Sequence, residues 1–336
     1  MDYSQTGRND YPAMRTLILM LCFFYVARAM AQPAAASATV IQPPTADVSN
    51  GPVHARFYLP DAKNGYYRGS RFDWSGVMPV LEYRGHTYCG QWFDTYAPTI
   101  HDAIMGPVES FAPLGYETAR PGGSFVAIGI GMLTKPDDQP YSPFRYYAIA
   151  DGGAWVIKRQ KAGITFEQTV KDSLYPYIYD KTVTLTKTGF RISHTLHNTG
   201  RRAIETTVYD HNLFVLDSQR IGPGFCLKFP WRITGRTEAR NIGTIADIGD
   251  SAISFIKNPE GKEQVYAVLE GYGAYDIKEH NKTCGVHITC DRPLSRMVFW
   301  GSARTATPEP YIQVDVPPGK TFGWTIDYVF YIPTTP

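Results

Sequence analysis

From about Pro52 onward the chain runs as short segments in which apolar residues recur at every second position. SFVAIGIGML (Ser124 to Leu133), FRYYAIA (Phe144 to Ala150), AWVIKRQ (Ala154 to Gln160), ITFEQTV (Ile164 to Val170), KTVTLTKTGFRISHTLHNTG (Lys181 to Gly200) and AIETTVYDHN (Ala203 to Asn212) are rich in β-branched and aromatic residues. Glycine or Asn-Thr-Gly turns separate them, and SAISFI, EQVYAVLE, GVHITC, RMVFWGS, YIQVDV and TFGWTIDYVFYI continue the style. A period of two predicts strands with one face buried. No amphipathic run is long enough for a helix, no repeat of 20 to 50 residues marks a propeller or solenoid, and composition does not break after residue 50. The pattern predicts one all-β domain over residues 51–336, a large antiparallel β-sandwich or barrel.

The first 50 residues read differently. Met14 to Gln32 has a positive start at Arg15, an apolar stretch from Leu17 to Ala27, and small residues at Ala29 and Ala31. That is a secretory signal pattern, with cleavage expected after Ala31. It is too short and wrongly flanked for a membrane span, and Met20-Leu21 before Cys22 lacks the small residue of a lipoprotein site. The polar residues before Met14 reflect either an upstream start or a long n-region. Residues 32–50, rich in Ala, Pro, Thr and Ser, are expected to be a flexible leader. The product is expected to be exported, periplasmic or extracellular.

Export changes the meaning of the cysteines. Cys89, Cys226, Cys284 and Cys290 remain after cleavage, an even number for which disulfides are allowed, and TCGVHITC places Cys284 and Cys290 where a hairpin could pair them. There is no CxxC, so no metal site is expected. Lysine plus arginine (33) balances aspartate plus glutamate (31), with no basic run, so neither nucleic acid nor a charged membrane surface is expected as a partner. Tyrosine is abundant at 23, with 17 Phe and 6 Trp. Such rings fill β-cores and also stack on sugars.

Nucleotide and nucleophile motifs are missing: GIGML opens no helix, and there is no phosphate-binding loop, GxSxG elbow or HExxH. What remains is imidazole, carboxylate and guanidinium at strand ends. His211 stands where VYDHNLF leaves its alternation, either as a reachable, rigidly held acid or base or as part of a His-Asn pair capping the turn. Glu309 lies between two prolines in TPEPYIQVDVPPG, and Arg71 precedes Phe72 and Trp74 in YRGSRFDWSG. Each also reads as an ordinary surface charge. His86 in a polar turn, His101 in a loop and His194 on an outward strand face are rivals to His211.

Three blocks then fall into one order: ISHTLHNTGRRAIETTVYDHNLFVLD, IGPGFCLKFP, and MVFWGSARTATPEPYIQVDVPPGKTFGWTIDYVFYI. Together with YRGSRFDWSGVMPVLEYRG near the start, they resemble the galactose mutarotase-like superfamily, the aldose 1-epimerases and hexose-6-phosphate mutarotase relatives. The resemblance covers most of the mature chain and implies a supersandwich fold. It implies His211 as a protonated acid, Glu309 as base, Arg71 as a contact to sugar hydroxyls, and no cofactor. Asn212 is implied to hold the turn or a hydroxyl, with His101 and Asp217 as further binding residues. Glu109 and Glu117 are either acidic partners of an altered pocket or solvated loop charges. His211 is followed by Asn-Leu-Phe where galactose-acting members carry Tyr-Phe-Asn, which leaves the sugar open. A phosphorylated sugar is not expected, because no lysine or arginine cluster marks a phosphate cradle.

Three functions follow: an aldose 1-epimerase-like isomerase on a free sugar or oligosaccharide end, a noncatalytic carbohydrate-binding protein, or a lyase or glycosidase-type enzyme. Pocket geometry separates them. The epimerase reading expects His211 and Glu309 on opposite sides of a monosaccharide-sized pocket.

Overall fold

In a computed structural model of the chain the described residues are 42–333. The expected signal segment and the start of the leader lie outside them. The end of the leader differs from expectation: Thr45–Ser49 is a strand, not flexible chain, with Ala46 and Val48 buried and Ala46 opposite Phe57 of Val53–Tyr58. The alternation within TADVS outweighs its turn-like composition, because two apolar side chains reach the core from one face.

The architecture is all-β and antiparallel, as the alternation requires. A ten-stranded sheet runs in the order Ala246–Ile248, Ala252–Phe255, Cys226–Lys228, Asp276–His280, Gly285–Cys290, Thr321–Tyr331, Gly189–Asn198, Tyr177–Thr186, Gly163–Val170, Ala154–Gln160. A six-stranded sheet runs Gly235–Arg240, Val265–Glu270, Arg296–Gly301, Ala306–Val316, Ile204–Leu213, Gly106–Phe111. A four-stranded and a three-stranded sheet flank them. No described helix is long and apolar enough to cross a membrane.

The two large sheets pack face to face. Phe111 of the six-stranded sheet meets Tyr179 and Trp324 of the ten-stranded one, with ring centroids 5.6 and 6.2 Å apart. Burying one such ring contributes about 1.5–3 kcal/mol. The same interior holds charges. Lys181, fully buried, binds Glu109 and donates to the Ser75 carbonyl at 3.0 Å, with Asp73 at 3.5 Å. Tyr328 donates to Asp210. His194 is turned inward, not outward as its strand position suggested: Nε2 is 2.6 Å from Glu109 and the ring stacks on Trp324 at 4.3 Å. Glu109 therefore faces the sandwich interior, where Lys181 and His194 hold its charge against the penalty of burial.

All four described cysteines are free thiols. Cys284 and Cys290 do not pair across a hairpin: they stand at the two ends of a single strand, Gly285–Cys290 and the residue before it. At about 3.3 Å per residue that separates them by roughly 20 Å, far beyond the reach of a disulfide.

Candidate active site

The six-stranded sheet has an inner face against the sandwich and an outer face toward a cleft of about 560 Å³. Pleating decides which residues reach each face. On Ile204–Leu213 the even positions Val208 and Asp210 go inward, and Tyr209 and His211 line the cleft. On Ala306–Val316 Ile312 and Val314 go inward, and Thr307, Glu309 and Tyr311 go outward. The two strands pair antiparallel through Tyr209 opposite Tyr311. Two residues further along, His211 meets Glu309.

His211 Nε2 lies 3.5 Å from Glu309 Oε1, and Nδ1 lies 3.2 Å from Thr307 Oγ1. The Thr307 hydroxyl gives its one proton to the Pro308 carbonyl at 3.0 Å, so Nδ1 is the donor to Thr307 and Nε2 is left as an acceptor facing Glu309. Edge contacts from Phe72 (5.5 Å) and Trp300 (5.8 Å) fix the ring. Both groups are nearly sealed, with 5% and 7% exposure. Burial lowers the imidazole, and the Arg71 guanidinium lowers it further, to about 3. Burial raises the Glu309 carboxyl to about 7, against the opposing pull of Arg71. Both shifts favour the neutral forms, which disfavours the protonated His211 that the resemblance implied.

Arg71 reaches the same place from a loop. Its Nε and Nη2 donate to the Tyr209 hydroxyl at 3.3 and 3.0 Å, and Nη1 binds Asp102. The guanidinium carbon is 4.6 Å from the Phe72 ring and 4.9 Å from Phe144, one aromatic face on either side. Tyr209 in turn stacks on Tyr311 at 4.6 Å. Planar, charged and braced, Arg71 is fixed before any ligand arrives.

The structure thus brings His211, Glu309 and Arg71 together and places the other expected residues elsewhere. Asn212, next to His211 in sequence, points to the opposite face; its amide donates to the Asp210 and Pro308 carbonyls, each at 3.2 Å, and ties the two strands together. It holds the strand, not a ligand. Asp217, at φ 51°, does not line the cleft: it accepts from His86, Thr87 N and Thr283 and ties its loop to those two distant segments. His86, Asp217 and Cys284 bring three potential metal-ligand atoms within 4.8 Å, with that carboxylate already satisfied by protein donors. His101 does not line the cleft either; its Nε2 is 2.9 Å from Asp102, which does. Glu117 is an exposed loop charge.

Sequence reasoning missed Tyr209, Tyr311, Trp300 and Asp102. The signal for the two tyrosines was present: each lies two residues from His211 or Glu309, on the same strand face. Asp102 comes from a loop and carried no such signal. The structure also gathers arginines that the sequence scatters, since Arg71, Arg240 and Arg296 line one cleft. They are not a naked cationic cradle, because Arg71 binds Asp102 and Arg296 lies 4.0 Å from Glu238.

No family model matches the chain, and no curated protein matches it. Solved structures do. A putative aldose 1-epimerase from Escherichia coli K12 superposes with a TM-score of 0.54 at 12% identity, over 86% of this chain and 99% of that one. A protein from Synechocystis sp. PCC 6803 gives 0.54 at 11% identity, over 86% and 96%. A galactose mutarotase related enzyme from Lactobacillus acidophilus gives 0.50 at 12% identity, over 85% and 97%. At these identities the likeness is one of fold: this chain has the galactose mutarotase-like β-sandwich.

Proposed function

We propose that the protein is an aldose 1-epimerase-like isomerase that interconverts the anomers of a sugar, with His211 and Glu309 as the proton-transfer pair. The observation that carries this is the pair itself, a proton acceptor 3.5 Å from a carboxyl whose affinity for its proton is tuned to about 7, inside a cleft. The two groups stand side by side on one wall, not on opposite sides as expected from sequence. That suits the chemistry, because the ring oxygen and the anomeric oxygen are bonded to the same carbon. Neighbouring oxygens are served by neighbouring groups.

One proton shared by the pair is sufficient. The group holding it protonates the ring oxygen as the C1 to ring-oxygen bond breaks, and the other group takes the proton of the anomeric hydroxyl, leaving an open-chain aldehyde. Rotation about C1–C2 presents the other carbonyl face. The ring hydroxyl then attacks C1, its proton returns to the pair, and the anomeric oxygen is reprotonated. Arg71, held by Tyr209 and Asp102, is placed to bind sugar hydroxyls with its remaining N–H groups. The steps balance within the sugar and these side chains.

A glycosidase-type reaction fits less well. It needs a second free carboxylate, and Asp102 is engaged by both Arg71 and His101. The proposed place of action is outside the cytoplasm, supported by the signal pattern of Met14 to Gln32.

The test is the rate of anomer interconversion, by polarimetry or NMR, over a panel of reducing sugars. Wild type is expected to accelerate it, and His211→Ala and Glu309→Ala to lose about two or more orders of magnitude. Sugar binding without acceleration would replace this reading by a noncatalytic one.

A further inference from the structure

We infer that the outer end of the cleft is a second sugar subsite, so that the substrate is the reducing end of a di- or oligosaccharide and not a free monosaccharide. This rests on reading the site as a sugar site and adds what that site selects.

The first argument is length. The cleft is lined from Ser110, on one edge strand of the six-stranded sheet, to Arg240, on the other. Four strand spacings separate the His211 strand from the Arg240 strand, about 19 Å at roughly 4.8 Å each. A pyranose ring set against His211 and Glu309 reaches across little more than one spacing. The rest of the cleft is open to something attached to it.

The second argument is a bulge that aims a side chain. Gly235–Arg240 pairs with Val265–Glu270 through Arg236 opposite Leu269 and Thr237 opposite Val268, and then slips by one residue so that Arg240 stands opposite Tyr266. In the unslipped register Ala239 would take that place. The extra residue is absorbed at Glu238, a non-glycine residue at φ 51°. Bulges re-aim side chains, and a non-glycine residue held in the left-handed region carries strain that the surroundings must support. Here the result is a guanidinium, in place of a methyl group, on the cleft face.

The third argument is chemistry. Tyr266 offers a flat face, and next to it Arg296 lies 5.5 Å over the Tyr311 ring and 4.0 Å from Glu238. A ring for stacking beside paired donors and acceptors suits the alternating apolar face and hydroxyl edge of a sugar. Arg296 is offset by Glu238, as Arg71 is by Asp102, which favours hydroxyls over a free anion. With the anomeric carbon at His211 and Glu309, the far edge of the ring points outward, and a glycosidic bond there carries the next unit toward Tyr266 and Arg240.

The experiment is calorimetric titration of the wild-type protein with matched reducing pairs: glucose against maltose, cellobiose and lactose, galactose against galactobiose, and mannose against mannobiose. Arg240→Ala and Tyr266→Ala follow with the same sugars; Arg240 is exposed and Tyr266 half-buried, so the fold tolerates both changes, and thermal melting checks this. For the sugar the site accepts, the disaccharide is expected to bind about tenfold tighter than its monosaccharide or better, the worth of one good polar contact or stacked ring. In either variant that ratio is expected to fall toward one. Equal affinity for both members of a pair, or a ratio that survives both substitutions, overturns the subsite and leaves the epimerase reading standing. Absence of binding by every sugar overturns both.

Discussion

Arg71 and Tyr209 are joined twice through one phenol oxygen, which takes hydrogen bonds from Nε and Nη2 across 138 residues of chain. Arg71 is 8% exposed, so these donors have little water to take the place of the phenol oxygen. Tyr209→Phe is expected to cost about 1–3 kcal/mol of stability by leaving buried donors unpaired. It is also expected to raise KM about tenfold for the sugar that wild type converts. Denaturant titration and steady-state kinetics check the two effects, and a variant as stable as wild type contradicts the first.

The pair titrates in a defined window. Activity needs one proton between His211 and Glu309, so kcat/KM is expected to fall below about 3, where the imidazole gains a second proton, and above about 7, where Glu309 loses its own. The profile is the same whichever group holds the shared proton, because the two one-proton forms are tautomers. Arg71 disfavours the imidazolium and favours the carboxylate, so Arg71→Met removes a charge that lowers both values. The alkaline limb of its pH–rate profile is expected to move above 7, and a downward move contradicts the electrostatic account.

Glu279 is buried, and neither carboxyl oxygen has a hydrogen-bond partner among the described residues. Burial raises its pKa well above the usual 4.5. The folded state thus holds a proton that the unfolded state gives up. Its contribution is fully present below about 4.5 and is lost as pH rises toward the folded value, by up to about 1.4 kcal/mol per pH unit. Glu279→Gln lacks this proton, so its stability relative to wild type is expected to rise with pH. Urea midpoints of both proteins at pH 5 and pH 8 read the sign directly.

Lys181 compensates Glu109 and Asp73 in the sandwich interior. Lys181→Met leaves those carboxyls facing each other without a cation and is expected to cost about 3–5 kcal/mol. Adding Glu109→Gln to that variant is expected to recover part of the loss. Additive losses in the double variant would show that the two side chains do not share one interaction.

Alternation made the sheets legible: the runs around Lys181 to Asn212 and Ile312 to Tyr331 are strands as read, and their period of two already implied which residues share a face. That His211 and Glu309 share one cleft was implied by the order of the blocks; that they stand side by side was not, because strand pairing sets it. Asn212 was misplaced because adjacency in sequence is opposition in a pleated strand; its amide staples the strands from behind. Asp217 was misplaced because a left-handed turn aims its carboxylate at the Thr87 amide and the Thr283 hydroxyl, two segments that sequence does not bring near it. Asp102 and the presence of Arg240 and Arg296 in one cleft were not legible, since loop closure and strand order, not local pattern, place those side chains there. The strand at Thr45–Ser49 was hidden by proline-rich surroundings, although its two buried positions obey the alternation.

The slipped register before Arg240 makes recognition at that end of the cleft depend on chain length as well as on residue identity. Deleting Glu238 would remove the extra residue, and with it the cleft-lining carboxylate 4.0 Å from Arg296, while Arg240 stays opposite Tyr266 and the side chains of the neighbouring strands are unchanged. Relatives of this fold could therefore diverge in what they accept by a single-codon insertion or deletion. An alignment scored only on substitutions would pass over that change.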